Sequence, residues 1–314
     1  MQWFAQAPAN IALIKYMGKL DEQTNVPANA SLSYTLPHLQ SQVMLEPTDN
    51  ASDTWEMLDA PGIIPYSFSE KAQARFLNHL TFLKQHLGYT GSFHVRSGNT
   101  FPHSTGLASS ASSFAALTRC AAIACAELTQ TPVLSVEQQA QLSRQGSGSS
   151  CRSFFQPWAL WETNAVRAIE LPYHQLLHQV ILIHPEAKEV SSSLAHQRIK
   201  SSPAYPTRAA RANNHLTALL CALQAQHWDE AYHICWQEFQ DMHALFSTAH
   251  PAFSYMSSQT EIVLARLQFL WKQAGDGPII TMDAGPNIHL LYRQDQEKLA
   301  LQIKHEFMES YHVL

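Results

Sequence analysis

Pro102-His103-Ser104-Thr105-Gly106-Leu107-Ala108-Ser109-Ser110-Ala111-Ser112-Ser113 is a run of small and polar residues set between two segments of different period. Before it, Ser92-Phe93-His94-Val95-Arg96 alternates and predicts a strand. After it, Phe114 to Leu128 is rich in alanine and predicts a helix. A small-residue turn that opens a helix presents free backbone N–H groups and the positive end of the helix dipole, which suits a phosphate group. Serine hydroxyls in the turn add hydrogen bonds or ligate a phosphate-bound Mg²⁺. The same letters describe an N-capped core helix with no ligand, Ser109 or Ser110 being good caps. By itself the turn leaves both readings open.

Composition narrows the class. A chain of 314 residues has room for one large domain or two of ordinary size, and its 46% apolar content is enough for a substantial core. The net charge of -5, without a basic block, argues against nucleic acid as a partner. Met1 to Asn10 lacks a basic segment followed by an apolar one, and no apolar run approaches the roughly 20 residues that cross a bilayer. The expectation is a cytoplasmic protein with no membrane partner. Cys120, Cys125, Cys151, Cys221 and Cys235 form no CxxC pair, which disfavours a disulfide framework and a zinc site. The seventeen histidines include no HExxH and read mostly as surface or packing residues.

Outward from the central turn, Ala7-Pro8-Ala9-Asn10-Ile11-Ala12-Leu13-Ile14-Lys15-Tyr16-Met17-Gly18-Lys19 begins as an apolar strand. It ends in two lysines and a phenol around a glycine, a set that grips an anion or merely decorates a strand end. Asn29 to Leu36 alternates as a half-buried strand does, and Gln42 to Glu46 suggests another. Ile64 to Leu87 contains a helical stretch, with Ala72, Phe76, Leu80 and Leu83 at helical intervals. Thr131 to Leu142 predicts a further helix.

It leads into a second small-residue turn, Arg144-Gln145-Gly146-Ser147-Gly148-Ser149-Ser150-Cys151-Arg152-Ser153. Gly146 and Gly148 permit unusual backbone angles, the serines donate, and Arg152 offers a planar cationic fork. A flexible surface turn with a solvated arginine fits the same letters. Leu176 to His184 is a buried-strand run that opens a second half near residue 175, giving domains 1–175 and 176–314. Helices rich in Ala and Leu follow from about Pro206 to His243. Pro278 to Tyr292 reads as strand, Asp283-Ala284-Gly285-Pro286-Asn287 turn and return strand, all turn formers on local grammar alone.

Taken in order, Pro8 to Lys19, Asn29 to Leu36, Phe101 to Ser113, Gln145 to Ser153 and Met282 to Asn287 resemble the diphosphomevalonate decarboxylases of the GHMP kinase superfamily. Asp241-Met242-His243-Ala244, with Pro251 and Tyr255, is similar to the family's helix. The Pro102 to Ser113 loop is shared across that superfamily. The Arg-Gln-Gly-Ser-Gly-Ser-x-Cys-Arg-Ser and Asp-Ala-Gly-Pro-Asn elements are particular to the decarboxylases.

The resemblance implies a two-domain α+β GHMP kinase fold. Its N-terminal half is ribosomal protein S5 domain 2-like, its C-terminal half ferredoxin-like, and the active site lies in the interdomain cleft. It implies ATP-dependent decarboxylation of (R)-5-diphosphomevalonate to isopentenyl diphosphate with ATP and Mg²⁺, in a homodimer. Asp283, Lys15 and Arg152 match the catalytic set. Tyr16, Lys19, Ser147, Ser149, Arg152 and Ser192 match substrate-binding positions. Pro102, Gly106, Leu107, Ser109, Ser110 and Ser112 match the ATP site, with Ser110 towards the metal. Departures are Met17 where tryptophan is common, Phe155-Gln156-Pro157-Trp158 for Phe-Gly-Gly-aromatic, and Ser193 where many bacterial members carry a basic residue. These keep other readings in play: a monophosphate decarboxylase, a mevalonate-type kinase that stops at phosphorylation, and a non-catalytic ATP- or isoprenoid-binding relative.

Overall fold

The structure is a computed structural model that describes residues 1–102, 109–183 and 190–314. Two separate antiparallel-rich sheets organise it. The first part of the chain carries β1 (Trp3–Ile14), the small ladder of β2 (Lys19–Asp21) and β3 (Val26–Pro27), then β4 (Ser31–Thr48) and β5 (Thr54–Met57). These are followed by α1 (Glu70–His86), β6 (Ser92–Asn99), α2 (Ser109–Thr129), α3 (Val136–Gly146), β7 (Trp158–Glu162) and β8 (Ala165–Ile169). The remainder holds β9 (Leu176–Leu182), α4 (Ser192–Arg198), α5 (Arg208–Gln224), α6 (Trp228–Ser247) and α7 (Ser258–Ala274). It closes with β10 (Ile279–Met282), β11 (Ile288–Arg293), α8 (Glu297–Met308) and β12 (His312–Val313).

The two strands expected at 29–36 and 42–46 are one strand of 18 residues. β4 pairs with β1 along one edge, and on the other edge changes neighbour from β7 (residues 31–34) to β6 (residues 41–48). A register shift opposite Pro8 and Ala9 accommodates the bend. Nor is its first part half-buried, for Ser31 to Leu36 are buried throughout. Leu32, Tyr34 and Leu36 join a core that runs on into the second sheet and α5, α6 and α7. On the opposite face, Ser31 and Thr35 bond into the 148–155 segment. Alternation marks two different faces; it does not say that one faces water.

Other boundaries follow local chemistry. α3 starts at Val136, later than the Thr131 expected, because Ser135 and Gln138 close a capping box; Val136 is left exposed. α1 begins after the Ser69 N-cap and buries Phe76, His79, Leu80 and Leu83, with Phe76 and His79 against Phe114 of α2. α2 is apolar and long enough, by composition, to cross a membrane, contrary to the expectation of no such run. Most of it is buried between β1, β4, α1 and α3, so its apolarity is spent on the core. Met17, in place of tryptophan, is buried among Val190, Met242, Phe246 and Tyr255. Pro157 precedes β7 directly, and its carbonyl accepts the Thr35 N–H at 2.9 Å, so the missing proline donor is not needed there.

Candidate active site

β1 delivers Lys15 to the seam between the two sheets, and the β10–β11 turn delivers Asp283 from the other side. Lys15 Nζ lies 2.8 Å from Asp283 Oδ1 and 2.5 Å from the Ala12 carbonyl. The lysine is buried, whereas 27% of the Asp283 side chain remains open to a cavity of about 500 Å³. Burial pushes the Asp283 carboxyl up, but the Lys15 ammonium, then His289 and Arg152, bring it net below its ordinary value. Burial in turn lowers Lys15, and Asp283 opposes that loss only in part. The pair is therefore an ionised carboxylate held by an ammonium, its free oxygen available to a reactant.

The second small-residue turn is ordered and interior. Gly148 to Phe154 forms a 3₁₀ turn, and Arg152 is 4% exposed, which removes the reading of a solvated surface arginine. Its Nε donates to Asn10 Oδ1 at 3.1 Å and Nη1 to Ser31 Oγ at 2.7 Å, with the Trp161 ring 5.8 Å away. Arg152 makes no ion pair among the described residues, and burial lowers its pKa. A buried guanidinium with neutral partners on one side and a cavity on the other is poised for an anion.

The two glycines serve differently from the expectation. Neither Gly146 nor Gly148 has positive φ. A Cβ on Gly148 would stand 2.6 Å from the Tyr16 ring, and one on Gly146 2.2 Å from Phe114. They allow close approach. Gly18, by contrast, does have a positive φ, +109°. Tyr16 is wedged between Trp161 and His196, at ring separations of 4.7 and 4.6 Å. The Gly18 N–H donates to His196 Nδ1, and burial drops that histidine to about 3, so it stays neutral.

Lys15, Tyr16, Lys19, Ser109, Ser110, Ser147, Ser149, Arg152, Ser192 and Asp283 all line the one cavity. Pro102 and Ser112 do not line it. Ser112 is fully buried, its hydroxyl turned into the sheet at 2.7 Å from Ser41 Oγ, so the ATP contact expected of it is not available from the cavity wall. Gly106 and Leu107 lie outside the described residues. Arg75 of α1 was missed: it lines the cavity, donates to the Gly146 carbonyl at 2.6 Å and sits over Phe114. No local signal separates it from a surface helix arginine. Asn10 was missed as the orienter of Arg152, although a polar residue inside an apolar strand run was a usable sign.

The cavity thus sets Arg75, Lys19, Arg152 and Lys15 around one carboxylate among the described residues, with the N-terminus of α2 at its edge. Fold and site define a two-sheet α+β protein whose cavity is lined by cations and by the first residues of α2, a set that suits a polyanion. The profile of the diphosphomevalonate decarboxylase-like N-terminal domain matches residues 7–168, and that of the mevalonate 5-diphosphate decarboxylase C-terminal domain matches 179–313. A diphosphomevalonate decarboxylase from Ganoderma lucidum is 30% identical over 90% of this chain and 76% of its own. The crystal structure of a mevalonate diphosphate decarboxylase from Legionella pneumophila superposes with a TM-score of 0.94 at 56% identity over the whole of both chains. MDDEF in complex with MVAPP, AMPPCP and magnesium superposes with a TM-score of 0.88 at 29% identity, covering all of this chain and 96% of that one. The chain belongs to the diphosphomevalonate decarboxylase family, within the GHMP kinase superfamily.

Proposed function

We propose that the chain catalyses the ATP-dependent decarboxylation of (R)-5-diphosphomevalonate to isopentenyl diphosphate, CO₂, ADP and phosphate, the last step of the mevalonate route to isoprenoids. The observation that carries this reading is the Lys15–Asp283 pair facing a buried Arg152 that has no carboxylate partner among the described residues, in one cationic cavity. Asp283 takes the proton of the tertiary 3-hydroxyl as its oxygen attacks the γ-phosphorus and ADP departs. General base help of this kind contributes on the order of 10²–10⁴-fold. Lys15 keeps the carboxylate ionised between turnovers and neutralises charge on the reacting oxygens. The C3–O bond then breaks with its electrons leaving on phosphate. The electrons of the carboxylate C–C bond form the alkene as CO₂ leaves.

Arg152, oriented by Asn10 and Ser31, holds the carboxylate until that step. Tyr16, Lys19, Ser147, Ser149, Ser192 and Arg75 face the diphosphate end, and Arg75 supplies charge that Ser193 does not. Ser109 and Ser110 at the start of α2 meet the ATP phosphates. No group of His, Cys, Asp or Glu among the described residues forms a metal site, which fits an ion carried on phosphate oxygens. Bound Mg²⁺ would neutralise charge on the transferring phosphates, with the Ser110 hydroxyl as its protein ligand. We read 1–175 and 176–314 as the two domains, the family profiles parting between 168 and 179, and the working form as a cytoplasmic homodimer.

The test is purified protein with Mg-ATP and diphosphomevalonate, which releases CO₂ and ADP in equal amounts. ADP without CO₂ would indicate a kinase, turnover of the monophosphate alone the narrower decarboxylase, and no turnover with either a binding protein. Asp283→Ala abolishes turnover with nucleotide binding nearly intact.

A further inference from the structure

Lys15 lies one residue beyond β1; Asn29 Nδ2 holds its carbonyl at 2.9 Å, and the remaining bonds to its backbone come from the other sheet's helices. Glu238, fully buried in the middle of α6, accepts the Lys15 backbone N–H on Oε1 at 2.9 Å. Its carboxylate takes Arg208 of α5 in a bidentate pair, Oε2 receiving Nη1 at 3.0 Å and Oε1 receiving Nη2. Arg208 Nη2 also donates to the Lys15 carbonyl at 3.4 Å. One ion pair thus reaches both polar groups of the Lys15 backbone, holding the N–H and sharing the carbonyl with Asn29. That pair is itself anchored, Arg208 on Asp241 at 2.7 Å and Glu238 on His215 at 2.7 Å.

A buried ion pair gives little net stability over apolar residues of the same volume, because both charges lose their hydration. Direction is what an apolar contact would not supply. We propose that Glu238 is a positioning residue for phosphoryl transfer: with Arg208 it clamps the Lys15 backbone and so sets the ammonium against Asp283. This rests on the roles given above to Lys15 and Asp283. The ammonium is faced by Asp283 from the β10–β11 turn and by Glu238 and Cys235 from α6. Arg152 and His289 in turn act on Asp283, while Arg208 and His215 contact Glu238 and Asp241 holds Arg208. Burial makes the ammonium easier to deprotonate, and the charges of Asp283 and then Glu238 work against that. Without the Glu238 charge, Lys15 loses its proton at lower pH.

Glu238→Gln keeps the shape and an oxygen for the Lys15 N–H but removes the charge. Glu238→Asp keeps the charge and falls a methylene short. Asp276→Asn, which breaks the 2.7 Å pair with Arg293 far from the cavity, controls for general loss of stability. Both Glu238 variants lose about 10²-fold in kcat, the scale of a ~1 Å misplacement, with KM for ATP and acid substrate within about threefold. The Gln variant alone moves the basic limb of the kcat/KM–pH profile down, and Asp276→Asn keeps kcat. The proposal is overturned if both Glu238 variants stay within about threefold of the parent kcat, or if Asp276→Asn loses as much. Should Glu238→Gln fail to fold, kcat of Glu238→Asp decides by the same criterion. An inactive Lys15→Gln beside fully active Glu238 variants sinks this proposal alone; an active Lys15→Gln sinks it together with the reading beneath it.

Discussion

Replacing Arg152 by lysine tests the substrate grip most directly. The guanidinium uses Nε and Nη1 on Asn10 and Ser31, at 3.1 and 2.7 Å, which aims the rest of the fork into the cavity. Lysine keeps the charge and loses the fork, so it cannot hold both anchors and still give a carboxylate two parallel bonds. One charge-assisted bond is worth roughly 1.5–3 kcal/mol, and an orphaned Asn10 or Ser31 acceptor adds about 1 kcal/mol or more. A total of about 3–4 kcal/mol corresponds to roughly 10²–10³-fold in kcat/KM at about 1.4 kcal/mol per decade. Because the carboxylate loses its charge as CO₂ forms, gripping it helps binding and phosphorylation rather than the final bond cleavage. The loss therefore falls on KM for the acid substrate, while KM for ATP stays within about threefold. Initial rates with each substrate varied in turn, on protein of parental Tm, give the split. An Arg152→Lys enzyme within about threefold of the parent, or one whose loss lies in ATP KM, refutes the assignment.

Three further outcomes follow from the geometry. Asp283 is depressed below its ordinary value, near 3.8, so its contribution to stability is complete above that value and is lost as pH falls through the folded one. Its limb in kcat/KM against pH, which reports the free enzyme, accordingly lies below the usual carboxylate range, and an Asp283-dependent limb above about pH 5 contradicts the pairing. Gly148→Ala forces a methyl against Tyr16, which Trp161 and His196 prevent from yielding, and overpacking of this kind costs about 1–3 kcal/mol. Thermal unfolding shows a lower Tm together with a raised substrate KM; Gly146→Ala, blocked by Phe114, lowers Tm as well, and unchanged stability in both would contradict the close packing. Light scattering on the eluted peak gives about twice the 35.2 kDa chain mass if the homodimer expectation holds, and a single-chain mass refutes it.

Much of the site was legible because its residues sit in short, chemically distinctive runs. Lys15, Arg152 and Asp283 could be named from their motifs, and the cavity gathers all three. What escaped was any residue whose role depends on a distant partner. Arg75 looks like an ordinary helix arginine until α1 packs beside Gly146. Glu238 and Arg208 are 30 residues apart, and nothing local says that they meet at the Lys15 backbone. Ser112 shared its run with Ser109 and Ser110, yet the helical rotation points it at Ser41.

By itself the sequence determined local elements: the strand at 92–99 and the helix at 109–129, and the strand–turn–strand that bears Asp283. Backbone propensity, capping and period are properties of neighbours along the chain. Only the tertiary structure decided which faces are covered twice, that Arg152 is buried rather than solvated, and that Gly146 and Gly148 serve close approach rather than unusual φ. The reason is that burial and ion pairing depend on what arrives from elsewhere in the chain. Hydrophobic period records that a face is apolar, but not what packs against its polar reverse. The small-residue turn could announce a phosphate. The acid, the lysine and the arginine that share a cavity with the start of α2 come from three other elements, and the fold alone brings them together.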